Sequence, residues 1–378
     1  MRPDRVLFPA TGFTKRDALA YYKRAARVLL PHLKNVPVSF KRYPDTVDGE
    51  SFWEKDAPAF TPRWVKTIAV PRRAGGDDIH YILINDLRTL TWLVDVGMIE
   101  IHPFLHRARR IDVPTNVVFD LDPGTGATFS DCCRVAVLLR DALLAIQLKS
   151  FAKVSGSKGL QVYVPLNTPN VTHDATEIFA RLVAEELARA APQLIVAKMS
   201  KQLRAGKVFI DWSQNADYKT TVGVYSLRAK REEPYVSMPV TWTEVERSDR
   251  LDFSPDAALK RMRRDLFAPV LKVKQTLPLR ATHPPRRLAD ARRDRGRTQS
   301  GRREFEIAGN KLWLERERRI LRENTHFQER GIYELIEGSE RLQRFDLWFS
   351  GRALKGEWIL RKADSGESWS LTPSAPTA

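Results

Sequence analysis

Two aspartates one residue apart, Asp120 and Asp122, sit in the run Val117-Val118-Phe119-Asp120-Leu121-Asp122-Pro123-Gly124. A β-strand turns alternate side chains to opposite faces, so this spacing puts both carboxylates on one face and sends Phe119 and Leu121 into a core. A third carboxylate, Asp211, ends the apolar run Lys207-Val208-Phe209-Ile210-Asp211. Three carboxylates converging from strand ends make a hard, oxygen-rich site suited to Mg²⁺ or Mn²⁺. Two such ions, about 3.5 to 4 Å apart, are how polymerases activate a 3′-hydroxyl and stabilise the departing pyrophosphate. The pattern Asp-x-Asp-Pro-Gly also describes a strand running into a turn, and the pattern alone leaves both readings open.

A second chemical cue is Ser155-Gly156-Ser157-Lys158-Gly159, followed by the alternating run Leu160-Gln161-Val162-Tyr163-Val164-Pro165. Small residues let backbone N–H groups approach an anion and Lys158 adds a point charge, as a phosphate cradle requires. The spacing is not that of a P-loop, Gly-x-x-x-x-Gly-Lys-Ser/Thr. An ordinary turn has the same composition.

The elements that must carry these residues are readable from periodicity. Thr14-Lys15-Arg16-Asp17 predicts a cap before a helix bearing Leu19, Tyr22, Ala26 and Leu29, closed by Pro31. Further helices are expected at 86–98, 129–147 and 174–190. Strands are expected at Tyr81–Ile84, Val117–Asp122, Leu160–Val164, Val208–Asp211 and Thr221–Tyr225, from short apolar runs and β-branched content. The fold class is α+β, with helices and strands mixed. Near residue 280 the composition changes: between Arg280 and Arg303 there are nine arginines against Asp290 and Asp294, with Pro284-Pro285 and almost no large apolar residue. The expected organisation is a catalytic domain over 1–278, a basic tether over 279–303 and a small β-rich unit over 304–378. That last unit is expected to open with one helix carrying Leu314, Ile320 and Leu321.

Composition narrows the function classes. The 378 residues, 43% hydrophobic and 29% charged, supply enough apolar material for a core and exclude wholesale disorder. Lysine and arginine number 63 against 46 acidic residues, a net charge of +17 that points to a polyanionic partner, nucleic acid first. No apolar run approaches a membrane span and the N-terminus has no signal-peptide core, so a soluble cytoplasmic protein is expected, with no membrane partner. Cys132 and Cys133, adjacent in an apolar helical pattern, read as buried thiols of a reducing compartment.

Taken in order, these segments resemble the primase-polymerase domain attached to bacterial DNA ligase D, a branch of the archaeo-eukaryotic primase superfamily. The likeness spans Arg5 to about Pro278. It is carried by the Val118–Gly124 and Ser155–Leu160 stretches, by Leu203-Arg204-Ala205-Gly206-Lys207-Val208-Phe209-Ile210-Asp211-Trp212-Ser213-Gln214-Asn215, and by Lys219-Thr220-Thr221 and Tyr225-Ser226-Leu227-Arg228. The resemblance implies that Asp120, Asp122 and Asp211 hold two divalent ions, Mg or Mn. It implies nucleotide contacts at Lys41, His102, Ser155, Lys158, Gln214 and Arg228, and a grip on the 5′-phosphate of a gapped or broken DNA end by Arg5 and Lys15. Phe52 and Trp53 match an aromatic pair that stacks on template bases. Without the resemblance, His102 reads as a core histidine, Arg5 and Lys15 as surface charges, and the aromatic pair as core. One position departs from the family: Gln161 stands on the strand face expected to meet the triphosphate, where relatives carry histidine, and glutamine cannot carry a positive charge.

The last segment bears a fainter likeness. Tyr333–Gly338 and Phe349–Trp358 resemble the closing strands of the 3′-phosphoesterase module of DNA ligase D, but the module's His-Tyr-Asp-Phe-Arg-Leu-Glu segment is missing and only His283 and His326 follow residue 280. A degenerate remnant is expected there. No Lys-x-Asp-Gly motif of a ligase occurs. The resemblance thus implies a template-dependent nucleotidyltransferase that extends or fills DNA ends with nucleoside triphosphates, beside Ku and a separate ligase in bacterial non-homologous end joining, at the nucleoid. The alternative is a catalytically weakened or inactive DNA-end-binding module.

Overall fold

The structure, a computed structural model, describes residues 2–72, 76–169, 171–248 and 253–278, together with the backbone of seven strands between 303 and 373. The chain divides into two compact units, Met1–Pro285 and Arg286–Ala378. The tether expected at 279–303 lies outside the described residues, save for Arg303 at the head of a strand.

The first unit opens with α1 (Lys15–Leu33), nucleated as the sequence requires: Thr14 Oγ1 accepts the Asp17 backbone N–H and the Asp17 carboxylate accepts the Thr14 N–H. Pro31 does not close the helix. It removes one N–H in the last turn, and the helix runs on to Leu33, stopping where Asn35 turns left-handed at φ 57°. One face of α1, including Tyr21, Tyr22, Ala25 and Leu29, enters the core. The helix expected over 86–98 is α2 (Leu87–Asp95), shorter because Gly97, at φ 87°, turns the chain and Met98 begins a strand. Two longer helices, α3 (Phe129–Ala145) and α4 (His173–Ala190), follow the expected spans closely. Cys132 and Cys133 are buried, free thiols on α3.

Two sheets make the frame. In the first, β1 (Pro37–Arg42) is the hub: β2 (Phe52–Glu54) and β4 (Ile79–Leu83) pair with it, β3 (Thr67–Val70) extends β4, and β5 (Met98–Pro103) also pairs with β1. The second sheet contains β6 (Asn116–Pro123), β7 (Phe151–Val154), β8 (Leu160–Pro165), β9 (Ile195–Val196), β10 (Val208–Asp211) and β11 (Pro239–Val240). Their order is β9-β10-β6-β8-β7-β11, antiparallel except for β9 against β10. Val117, Val118, Phe119 and Leu121 of β6 are fully buried, and α3 and α4 pack against this strand. The mixed α+β class is what the sequence led us to expect.

Thr221–Tyr225 is not a strand. Thr221 N bonds Pro103 O and Gly223 N bonds Ile101 O, but Tyr225 is left-handed at φ 64°, so the segment follows the edge of β5 without forming a ladder. Its threonine is used for a side-chain contact described below.

The second unit is a seven-stranded antiparallel sheet in the order Arg319–Arg322, Lys311–Leu314, Arg303–Ala308, Glu329–Ser339, Arg344–Ser350, Lys355–Lys362, Trp369–Pro373. The helix expected to carry Leu314, Ile320 and Leu321 is absent: these residues belong to two paired strands, in register from Lys311 opposite Arg322 to Leu314 opposite Arg319. Their spacing suits a helix turn as well as two short strands, and cross-strand pairing decides between them. Among the described residues no helix is long and apolar enough to cross a membrane.

The tightest backbone approach lies where the Ser155–Gly159 loop meets β6. A Cβ on Gly159 would stand 1.9 Å from Leu121 O and 3.3 Å from Pro123 Cδ. Gly159→Ala therefore forces β6 and the loop apart. We expect it to destabilise the fold by roughly 1 to 3 kcal/mol, read as a lowered thermal midpoint; an unchanged midpoint would show that the two backbones can separate freely.

Candidate active site

Register in the second sheet builds one polar row across four strands. Asp120 on β6 is directly opposite Asp211 on β10 and, on its other side, opposite Gln161 on β8, which is opposite Lys153 on β7. Directly opposed residues share a face, with Cβ atoms about 4.5 to 5.5 Å apart. Asp122, two residues along β6, falls on the same face at the exposed end. The three carboxylates expected from the sequence are therefore brought to one face.

Their hydrogen bonds differ. Asp211 Oδ1 accepts the backbone N–H of Ser213 (3.0 Å) and its hydroxyl (2.6 Å), while Oδ2 accepts Gln214 Nε2 at 2.8 Å. Asp120 Oδ2 accepts Gln161 Nε2 at 3.0 Å, but Oδ1 is buried with no protein partner. Burial first, then the carboxylates of Asp122 and Asp211, push Asp120 well above the ordinary aspartate range, against the lowering effect of the Gln161 hydrogen bond. Asp122 is also raised, by its desolvated setting and then by Asp211.

Among the described residues no three acidic, histidine or cysteine side chains are drawn together closely enough to hold a metal ion. Asp211 is engaged by Ser213 and Gln214, and one oxygen of Asp120 by Gln161. The donors nonetheless fit a hard divalent cation. They are all carboxylate oxygens on one face, Asp120 Oδ1 has no donor, and the raised proton affinities register a charge excess that a cation would relieve.

Gln161 is turned into this row. It is 2% exposed, and its amide nitrogen donates to Asp120 and, at 2.7 Å, to Thr221 Oγ1. Its amide nitrogen is thus committed to a carboxylate and a hydroxyl of the protein itself. Lys153, which sequence reasoning missed, is fully buried beside it and donates to Ser237 Oγ at 2.7 Å. Its signal was available: Lys153 and Gln161 flank the Ser155–Gly159 turn at positions that pair when the turn closes a hairpin.

Three of the residues expected to contact a nucleotide, His102, Arg228 and Lys41, gather around a second missed residue, Glu100. Fully buried on β5, its carboxylate accepts from Arg228 Nη1 (2.9 Å), Tyr43 Oη (2.9 Å) and the Ala229 N–H (2.9 Å), and lies 3.1 Å from His102 Nε2. Burial alone would raise its pKa, but the His102 hydrogen bond and the Arg228 charge overcome it and hold Glu100 at about 2. Burial dominates at His102, lowering it to about 4, so the ring is neutral at physiological pH. The signal for Glu100 was its place two residues before His102, on the same strand face. Lys41 pairs opposite Glu100 and opposite Trp53, and burial, then Lys230, lowers its proton affinity.

Ser155 is buried at the head of the loop and its Oγ accepts the Ser157 and Gly159 N–H groups at 3.3 and 3.4 Å; Lys158 is exposed. Gly156 is left-handed at φ 73°, and a Cβ there would stand 2.4 Å from Arg228 Cγ. The loop thus rests on the arginine's stem, which joins it to the Glu100 cluster. Phe52 and Trp53 are 42% and 55% exposed, not core, and Trp53 packs edge-on to His102 with ring centroids 4.7 Å apart. Arg5 and Lys15 are not open surface charges. Lys15 is buried in a 2.6 Å ion pair with Asp95, and Arg5 donates to the Pro44 carbonyl.

Asn215, also missed, ties β6 to the segment that follows β10. Its Oδ1 accepts Val118 N and its Nδ2 donates to Val118 O, both at 2.8 Å, extending the β6 edge beyond the last β10 pair.

Residues 14–267 match the family described as LigD, primase-polymerase domain. The multifunctional non-homologous end joining protein LigD of Mycolicibacterium smegmatis is 39% identical over 272 residues, covering 71% of this chain and 35% of that protein. The bifunctional non-homologous end joining protein LigD of Bacillus subtilis is 34% identical over 248 residues, covering 65% of this chain and 39% of that protein. The chain thus spans little more than a third of the length of these relatives. Among solved structures, the polymerase domain of Mycobacterium tuberculosis ligase D in complex with DNA is similar with a TM-score of 0.67 and 38% identity, over 71% of this chain and 96% of that one.

The crowded carboxylates carry a stability signature. A folded-state proton affinity above the unfolded value means the row costs nothing below about pH 3.9, where the group is protonated in both states, and costs more as pH rises toward the folded pKa. In the presence of a chelator, Asp120→Asn, which retains an acceptor for Gln161, should therefore be more stable than the parent at pH 8 by on the order of 1 to 3 kcal/mol. The difference should shrink toward pH 4. A variant less stable at pH 8, measured by thermal unfolding, would mean the carboxylate is not crowded.

Proposed function

The chain belongs to the LigD primase-polymerase domain family, and on that premise we propose that its first unit is a template-dependent nucleotidyltransferase that extends or fills DNA ends. The observation that carries this reading is the row Gln161–Asp120–Asp211 with Asp122 beside it: carboxylates on one sheet face, one oxygen left without a donor. Asp120, Asp122 and Asp211 would hold two divalent ions, Mg or Mn. Such ions lower the proton affinity of a primer 3′-hydroxyl and offset charge on the leaving pyrophosphate.

The protein's own groups have separate tasks. Lys158 and Arg228 supply charge-assisted hydrogen bonds to phosphate oxygens. Arg228 is already oriented by Glu100, so little ordering is left for the moment of binding. His102, neutral, offers a hydrogen bond without adding charge, and Lys41, Ser155 and Gln214 complete the nucleotide contacts. Gln161 serves Asp120, holding one carboxylate oxygen so that the other faces the site. Phe52 and Trp53 offer exposed rings to template bases, a contact worth about 1 to 3 kcal/mol per base and indifferent to sequence. Arg5 and Lys15 shape the 5′-phosphate pocket; Lys15 must exchange part of its Asp95 pairing for a phosphate to touch it directly. Deoxynucleotides and ribonucleotides are both candidate substrates. Ku and a separate ligase are the partners this role in non-homologous end joining calls for, in the bacterial cytoplasm at the nucleoid. The second unit we read as a non-catalytic remnant of a phosphoesterase.

A binding module without catalysis is favoured by one observation, the full set of hydrogen bonds on Asp211. Extension of a gapped, 5′-phosphorylated duplex with labelled nucleotide separates the two. The polymerase extends only with Mn²⁺ or Mg²⁺, and Asp120→Ala and Asp211→Ala reduce extension to background while leaving DNA binding close to that of the parent. Extension retained by both variants would remove the carboxylates from the chemistry. A second measurement concerns the DNA end: Arg5→Ala with Lys15→Ala should weaken binding to 5′-phosphorylated gaps more than to 5′-hydroxyl gaps, with a salt slope shallower by roughly one unit per lost phosphate contact. Equal weakening on both ends would leave these residues a purely structural role.

A further inference from the structure

Beyond Phe52 and Trp53 the surface carries a stripe in which two arginines flank three aromatic rings. Arg42 begins it. Its backbone pairs opposite Phe52, while its guanidinium lies 5.3 Å from the ring centroid of Phe60, a side chain 50% exposed and not needed for the core. Phe60 meets Trp92 at 6.3 Å and Trp92 meets Trp64 at 6.3 Å, with interplanar angles of 60° and 77°. Arg88 closes the series, its guanidinium 4.0 Å over Trp64.

The scaffold fixes this arrangement. Arg88 and Trp92 are four residues apart on α2 and so share a helix face, and the tryptophans are only half buried, with their inner edges against the core. Arg42 is partly neutralised by Glu54 at 3.3 Å; Arg88 is exposed on its ring. Cations laid on ring faces are held in place and cost less entropy on binding than free surface arginines.

We propose that this stripe binds the single-stranded template overhang as it runs away from Phe52 and Trp53. The inference rests on the template role given to that pair and extends it. Three features favour this occupant. The stripe is continuous with the pair through Arg42, a protein of net charge +17 suits a polyanion, and rings flanked by cations are what an unpaired strand uses: phosphates to arginine, splayed bases to rings. The tilts between neighbouring rings disfavour a duplex, whose bases are already stacked, and suit nucleotides held separately. Sequence preference is expected to be weak, because every base has a π face.

Fluorescence anisotropy on gapped or tailed DNA tests this, using template overhangs of about 2 and about 10 unpaired nucleotides. The parent should bind the longer overhang roughly tenfold more tightly, and Phe60→Ala with Arg88→Ala should lose that gain while matching the parent on the short overhang. Phe60 and Arg88 are exposed, and an unchanged circular dichroism spectrum and thermal midpoint certify the fold. No gain with length in the parent, a gain that survives in the variant, or equal weakening on blunt duplex would each overturn the proposal. Extension opposite the first template base, measured on the short overhang with the same variant, reports on the polymerase reading separately: it should persist, and its absence in the parent would fault that reading and not the stripe.

Discussion

Like charges held close by backbone register are the constraint on which the rest of the site depends. Antiparallel pairing leaves Asp120 and Asp211 no freedom to separate, because each is fixed opposite the other by its own strand. Whatever relieves that repulsion must come from side chains or from outside the protein. Gln161, Ser213 and Gln214 give partial relief as neutral donors, and Lys153, two strands from Asp120, adds little firm charge, because complete burial lowers its proton affinity far below that of an ordinary lysine. The remainder stays as a raised proton affinity. A site of this kind is stabilised by its ligand, and the energy stored in it is returned when the charge is met.

The first sheet holds the opposite balance. There a single buried carboxylate, Glu100, sits among an arginine, a histidine, a tyrosine hydroxyl and a backbone amide, and its proton affinity is depressed. That cluster balances its one carboxylate with donors, whereas the other sheet gathers carboxylates in excess, and Gly156 resting on Arg228 joins the two mechanically.

Much of this was legible in the sequence because strands and capped helices are local. Alternation in Val117–Asp122 placed two aspartates on one face, Thr14 and Asp17 announced α1, and the family likeness tied the motifs into one fold. What escaped was set by pairs distant in the chain. Glu100 owes its low pKa first to the hydrogen bond with His102 on its own strand and then to Arg228, 128 residues away. Gln161 was read by its strand face alone, and its partner Thr221 comes from a segment that looked like a strand and is not one. Lys15 reads as a surface charge until Asp95 folds onto it. The C-terminal hairpin was mistaken for a helix because six-residue spacing serves both, and only the register across it separates them.

The clamp that Asn215 places on Val118 has a consequence for how such a protein can diversify. By satisfying both the N–H and the C=O of one β6 residue, a side chain stands in for a missing stretch of neighbouring strand, so the segment carrying Asp211 and Gln214 is stitched to the strand carrying Asp120 at both ends. Variation in the intervening short turn can then alter what the pocket prefers without loosening the spacing of the acids. Exchanging Ser213 or Gln214 between those stitches would change the donors that Asp211 accepts while leaving its distance from Asp120 to the paired strands.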